Sequence, residues 1–269
     1  MYEKFSVILP IYWKNEFNSF KNTFKSILNQ TYKPSEIIIV FDGTVEKKIK
    51  DYIKKKKKII NIKEIKNVKN LGLGKSLNKA VKFCSYNLIA RTDCDDLNYK
   101  NRFKKQLSYM KLHNLDVCGS NTIELSSLSL NSMIKKNPIM HEQISKKLKY
   151  RNPFNHQTVI FKKESVLKAG NYRDVPFFED YYLWVRMKKK GSIFGNLNKI
   201  LVKVDVDKNF YNRRSGINYI QKYQFFLCKC KKIGFINNIE YLYLLLLRTS
   251  IYLFPEIIVK FFYKIFLRK

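Results

Sequence analysis

The sequence predicts an α/β protein built on a mostly parallel, doubly wound sheet, with a helical appendage at its C-terminal end. Three observations carry this. Apolar, β-branched runs alternate with amphipathic, helix-spaced stretches from Phe5 to His113. Aspartates stand at the ends of two of those runs, Asp42 and Asp93. Beyond Asn237 the composition shifts to Leu, Ile, Phe and Tyr mixed with basic residues. With 269 residues, 45% of them hydrophobic, the chain can bury one large domain and carry an appendage.

In chain order, FSVILP (Phe5–Pro10) reads as a buried strand, followed by an amphipathic stretch from Glu16 to Gln30. SEIIIVFDG (Ser35–Gly43) is a second strand closing on Asp-Gly. Val45–Lys58 is lysine-rich with helical spacing, its run at 54–58 a solvated face, and IINIKEI (Ile59–Ile65) reads as a third strand. KSLNKAVKFC (Lys75–Cys84) has helical spacing, and NLIARTD (Asn87–Asp93) is a fourth strand before a helix from Tyr99 to His113. The second half is less regular. Val159–Phe161 and ILVKVDV (Ile200–Val206) are strand-like around a helical FFEDYYLWVRMKK, Phe177–Lys189. The expected division is a catalytic unit over 1–215, split near 97 into nucleotide-binding and acceptor halves, and amphipathic helices over 216–269. No internal repeat is visible.

A formal charge of +32 restricts the partners. Lysine far outnumbers arginine, and Asn and Ile are abundant, so part of that charge is compositional. What remains attracts an anion: nucleic acid, a nucleotide-linked substrate or an acidic membrane surface. MYEKFSVILP opens directly into a strand, without a charged segment leading an apolar one, and no apolar run spans a bilayer. The five cysteines are therefore expected as reduced cytosolic thiols, and Cys228 and Cys230 are too close for a zinc knuckle.

Carboxylates mark the chemistry. ARTDCDDLNYKNRF crowds Asp93, Asp95 and Asp96 into four residues at the end of a strand. Like charges so close raise one another's pKa, a cost that a divalent cation removes, and hard oxygen ligands suit Mg²⁺ or Mn²⁺. An acidic turn capping the next helix is the plainer alternative, and Asp42 at a neighbouring strand end favours the cation. NVKNLGLGKSLNKA imitates a phosphate-binding loop but has Lys69 where that loop needs glycine. Gly72, Gly74 and Lys75 fit an anion-binding helix start or a plain glycine turn. Glu179 and Asp180 lie among aromatic residues, where a carboxylate can act as general base. Adjacent helical positions diverge, so only one should face the site. A charge pair at a helix start fits them too. His156, in NPFNHQTVIF, fits a metal ligand, a contact to phosphate or acceptor, or a structural residue, while His113 and His141 have no supporting partners.

With these residues assembled, the chain resembles a family 2 glycosyltransferase of the GT-A, nucleotide-diphospho-sugar-binding fold. The resemblance rests on VILPIYWKNE, IIIVFDG, NLGLGKSLNKA, RTDCDD and FFEDYYLWVR, in that order over residues 4–190. NPFNHQTVIFKKESVLKAGNY and YNRRSG further resemble bacterial enzymes that build capsule, exopolysaccharide or lipopolysaccharide chains. The resemblance implies a donor site of Pro10, Tyr12, Glu16, Asp42, Asn70, Gly72, Lys75, Asn78, Arg91 and Asp93, holding a nucleoside that is most often uridine. It implies Mn²⁺ or Mg²⁺ on Asp95, with Asp93, Asp96 and His156 as further candidate ligands. Asp180 would deprotonate the acceptor hydroxyl, with Glu179 as the second candidate base, in an inverting transfer. Two departures stand out. Trp13 replaces the usual Asn of the opening turn, and the QxxRW motif of processive synthases is absent, which points to single additions.

The tail mixes apolar residues with Arg248, Lys260, Lys264, Arg268 and Lys269, and Pro255 divides it into two short helices. It reads as a peripheral anchor on the cytoplasmic face of the inner membrane, serving a lipid-linked glycan acceptor. A helix pair packed on the catalytic unit or on another subunit is the alternative. Arg213 and Arg214 fit phosphate contacts or surface charges. A nucleotidyltransferase of related fold would need a glycine-rich loop where PIYWKNE stands. A nucleic-acid-binding protein would leave the Asp-rich strand ends unexplained, because without a metal they repel phosphate.

Overall fold

A computed structural model describes residues 3–126, 129–206 and 216–252. The expected alternation is present at the start: β1 (Phe5–Tyr12), α1 (Phe17–Leu28), β2 (Glu36–Asp42), α2 (Lys47–Lys56), β3 (Ile62–Asn67), α3 (Leu73–Phe83) and β4 (Leu88–Arg91). These four strands form a parallel block in the order β3-β2-β1-β4. β1 shows why the sheet is wound on both faces. Phe5, Val7, Leu9 and Ile11 join Phe20 and Phe24 of α1 in one core cluster, whereas Ile8 joins Leu77 and Val81 of α3 in another. A strand buried on both sides must be apolar almost throughout, as this one is.

The second half supplies the expected strands and helix of a mixed region and adds a hairpin to them. β5 (Leu97–Asn98) and α4 (Arg102–Leu112) precede a hairpin of β6 (Val117–Ser126) and β7 (Ser129–Lys135) that the sequence reading does not contain. After α5 (His141–Lys147) and a 3₁₀ turn (His156–Thr158) come β8 (Ile160–Lys162), α6 (Lys163–Lys168), α7 (Glu179–Lys189) and β9 (Phe194–Val206). β8 slots antiparallel between β4 and β6. β9 runs parallel to β6, and β5 pairs antiparallel with β9. The parallel sheet therefore becomes mixed beyond β4, in the order β3-β2-β1-β4-β8-β6-β9-β5.

α7 lies at the centre of the second core. Every residue from Asp180 to Met187 is buried, with Phe154, Phe161 and Phe194 on one side. On the other lies α8 (Gly216–Lys232), whose Tyr219, Tyr223 and Phe226 are buried in the same cluster. α8 thus completes the core, and α9 (Asn238–Tyr252) packs back on it through Leu244. All five cysteines are free thiols.

Candidate active site

The register fixes the site before any side chain is considered. Tyr12 lies beside Asp42, and Asp42 beside Asn67, so three parallel strands end on one rim. A cavity of about 870 Å³ opens instead at the opposite rim, lined by Leu88, Leu107, Met110, Leu115 and Lys162. It is remote from the carboxylates and lies at the end of a parallel sheet where ligands do not ordinarily bind.

At the first part of the rim, Asp42 is a latch. Its buried carboxylate accepts from Asn67 Nδ2 at 2.9 Å, Leu71 N at 2.8 Å and Gly72 N at 3.0 Å, which fixes the loop leading into α3. Asn67 in turn donates to Ser76 Oγ and accepts from Lys79 Nζ. Two glycines permit the loop's path: Gly43 and Gly72 have φ of +87° and +86°, a region costly for residues with a Cβ. Asn70 accepts from Gly72 N through its side chain. The opening turn closes through Asn15, whose Oδ1 accepts from Tyr12 N at 2.8 Å. Trp13 projects into solvent, 65% exposed, and Glu16 is exposed at the start of α1. Lys75 and Asn78 turn away from this cleft. Lys75 pairs with Asp174 at 2.7 Å and Asn78 donates to Tyr172 O at 2.7 Å, so both tie α3 to the segment before α7.

β4 leads into the acidic cluster. One carboxylate oxygen from each of Asp93, Asp95 and Asp96 lies within 4.8 Å of the others, a spacing and donor set that suit one hard divalent cation. The turn is held from beneath: Thr23 Oγ1 donates to Asp96 O at 2.8 Å, and the fully buried Arg102 donates to Arg91 O and Asn98 Oδ1. Arg91, also buried, grips Asp93 with both guanidinium nitrogens. Asp95 reaches solvent at the cleft mouth yet is walled by protein. That loss of water, with the charge of Asp93 and a smaller contribution from Asp205, raises its carboxyl to about 6. Burial, Asp93 and Asp95 push Asp96 well above its usual range. Sequence reading missed Asp205, which reaches this field from the end of β9.

The second carboxylate pair opens α7. Asp180 is buried and accepts from Asn152 Nδ2 at 2.6 Å and from Tyr181 N at 2.7 Å. Burial raises its carboxyl while Asn152 opposes the rise. Glu179 is raised to about 7 by burial and by Asp180. Phe177, just before them, has φ of +70°, an unfavourable conformation for an aromatic residue, and is pinned by Tyr219 and Lys222 of α8. His156 stands apart from the aspartate cluster. Its Nε2 meets Tyr172 OH at 2.9 Å and its Nδ1 lies 3.9 Å from Asp180, while burial and then Arg91 hold it neutral, far below its usual pKa. Asn152, the direct partner of Asp180, sits in the quoted NPFNHQ stretch and carried no signal of its own. Arg213 and Arg214 lie outside the described residues.

The arrangement sets an aspartate cluster that could hold a cation, and the Glu179–Asp180 carboxylates, around one guanidinium, Arg91, whose charge reaches Asp93, Asp95, Glu179, Asp180 and His156. The sequence pattern of glycosyl transferase family 2 matches residues 6–170. The chain is a family 2 glycosyltransferase. It is 34% identical over 264 residues to the amylovoran biosynthesis glycosyltransferase AmsE of Erwinia amylovora, covering 97% of this chain and 98% of that one. It is 33% identical over 269 residues to the UDP-Gal:alpha-D-GlcNAc-diphosphoundecaprenol beta-1,3-galactosyltransferase of Escherichia coli, covering 96% and 98%. Among solved structures, Staphylococcus aureus TarS 1–349 in complex with UDP-GlcNAc superposes with a TM-score of 0.66 at 18% identity, over 84% of this chain and 66% of that one. The glycosyltransferase therefore has the GT-A fold, and one relative is named for amylovoran biosynthesis.

Proposed function

We propose that this glycosyltransferase moves one sugar from a UDP-sugar to a hydroxyl of a lipid-linked glycan, with inversion and with Mn²⁺ or Mg²⁺, at the cytoplasmic face of the inner membrane. The observation that carries the reading is the pairing of an aspartate triad just beyond β4 with the Glu179–Asp180 pair that opens α7, its Asp180 buried. Similarity over nearly full length to a relative named for a UDP-galactose donor and a diphosphoundecaprenol acceptor supports the donor and acceptor classes.

Asp93, Asp95 and Asp96 would hold the cation, which when bound neutralises charge growing on the leaving diphosphate. The protein's own residues do the rest. Arg91 aims Asp93, and the Asp42 latch shapes the loop through Asn70 and Gly72 beside the nucleoside. Asp180 takes the proton of the acceptor hydroxyl as that oxygen attacks the anomeric carbon. Asn152 fixes the carboxylate's orientation, and Glu179 is the second candidate for the same proton. His156, neutral and hydrogen-bonded to Tyr172, lines the base rather than binding the cation.

The test is transfer from a panel of radiolabelled UDP-sugars to lipid extract. Asp180→Asn should bind donor normally and lose transfer by roughly 10²–10⁴-fold, as removal of a general base does. Retained transfer in Asp180→Asn with loss in Glu179→Gln would move the role of base to Glu179. Retained transfer in both would overturn the site.

A further inference from the structure

α9 is apolar on two faces. One packs inward through Leu244, with Tyr241 and Leu245 partly buried beside it. The other carries Ile239, Leu242, Tyr243 and Leu246, which are 80%, 56%, 55% and 60% exposed. Their spacing of i, i+3, i+4 and i+7 sets all four in one stripe, so they form a patch rather than scattered contacts. A helix apolar on both faces at a protein surface lacks a partner for one of them.

Charge identifies that partner. Residues 216–252 contain five basic side chains, Lys222, Lys229, Lys231, Lys232 and Arg248, and a single acid. That acid, Glu240, is engaged by Lys149 and by Asn237 N. Lys231 lies 5.0 Å from the ring of Tyr241 and so flanks α9 directly. The sequence that continues from α9 adds four more basic residues and one acid, Glu256, among Ile, Phe and Leu. An aqueous protein partner would have to match both an apolar stripe and this excess of cations; an anionic bilayer surface matches both at once. No described helix is long and apolar enough to cross a membrane, so contact is made along the surface.

We propose that the outward stripe of α9 inserts into the interface of an anionic phospholipid bilayer, with the lysines at the end of α8 engaging the headgroups. The hairpin joins that surface to the catalytic helix. Phe226 of α8 stacks on Phe178 with ring centroids 5.1 Å apart, and tilted contacts join Tyr219 and Tyr223 to Phe178 at 5.4 and 5.6 Å and Phe226 to Tyr181 at 4.5 Å. The membrane plane and the Glu179–Asp180 pair are thus held in one aromatic unit. The binding stands on its own; its use in reaching a lipid-linked acceptor rests on the function proposed above.

The experiment is flotation of the full-length protein with phosphatidylethanolamine–phosphatidylglycerol vesicles and, separately, with pure phosphatidylcholine vesicles. The protein should float with the anionic vesicles, less with the neutral ones, and release as salt rises. Combining Leu242→Ser with Leu246→Ser should lower the vesicle-bound fraction by roughly tenfold or more, the effect of withdrawing two partly exposed leucines from an apolar phase. Methionine at both positions should preserve binding. Equal flotation of the serine variant, or equal binding to neutral vesicles, would overturn the proposal. So would a wild-type dimer that the serine substitutions convert to monomer without changing flotation, which would make the stripe a self-association face. UDP titration without vesicles separates the two claims: unchanged UDP binding beside failed flotation removes the membrane surface and leaves the transferase.

Discussion

Asp95 holds the most informative pKa on the rim, because it meets solvent and a cation would compete there with a proton. Its carboxyl is raised to about 6 by burial and by Asp93, and burial with Asp93 and Asp95 pushes Asp96 well above its usual range. The sign follows from which form each state prefers. A cation binds the deprotonated carboxylates, so affinity is full above the raised pKa values and falls as pH drops through them. Mn²⁺ affinity should therefore weaken below about pH 6, approaching tenfold per pH unit for each carboxyl that must release its proton. Titration in two buffers of different ionisation enthalpy should show proton release on binding. Affinity constant from pH 5 to pH 8 would contradict the triad as the binding site.

At the scale of elements, α3 and α7 meet at a glycine. A Cβ on Gly74 would stand 2.8 Å from the Arg173 carbonyl oxygen and 3.2 Å from Glu179 Cβ, so the absent side chain sets how closely α3 approaches the base-bearing helix. Helix propensity alone predicts that Gly74→Ala stabilises by about 0.5–1 kcal/mol. Overpacking against backbone should prevail instead, lowering stability by about 1–3 kcal/mol, readable in thermal melts, and reducing transfer as Glu179 and Asp180 move. A higher melting temperature with full activity would show that the contact yields. The same scale separates what sequence reveals from what it hides. β1 and β2 were legible as runs rich in β-branched residues bounded by turn residues, and β4 as a short apolar run, Leu88–Ala90, leading into Arg91 and the Asp93 turn. β6 and β7 were not: in SNTIELSSLSLNS the apolar–polar alternation covers only Ile123–Leu125 and Leu128–Leu130, too short among small polar residues to read as two strands, and part of its stability comes from bonds made after folding. Asn155, for example, reaches Ser120 O and Thr122 Oγ1. β5, two residues long, exists only because β9 supplies a partner more than a hundred positions away. The triad was legible as three neighbours in sequence, whereas Asn152 and Asp205 reach the site only through the fold.

Across the whole molecule, a +32 chain gathers acids at the carboxyl rim of its sheet. Electrostatics at this scale speak to encounter rather than fold: a basic surface raises the local concentration of an anionic donor, and in the function proposed above the acidic triad would accept it only with a cation in place. Helices α7, α8 and α9 share one core with β1, β2 and α3, so the proposed donor site, base and bilayer-facing stripe would be held in fixed relation by packing. The central claim is that the triad holds the donor through a divalent cation. Calorimetric titration of UDP into the full-length protein, with Mn²⁺ and again with EDTA, tests it most directly. Micromolar binding that requires Mn²⁺ and disappears in Asp95→Ala, with the variant's thermal melt unchanged, is the expected result. Equal UDP binding in EDTA, or in Asp95→Ala, would contradict it.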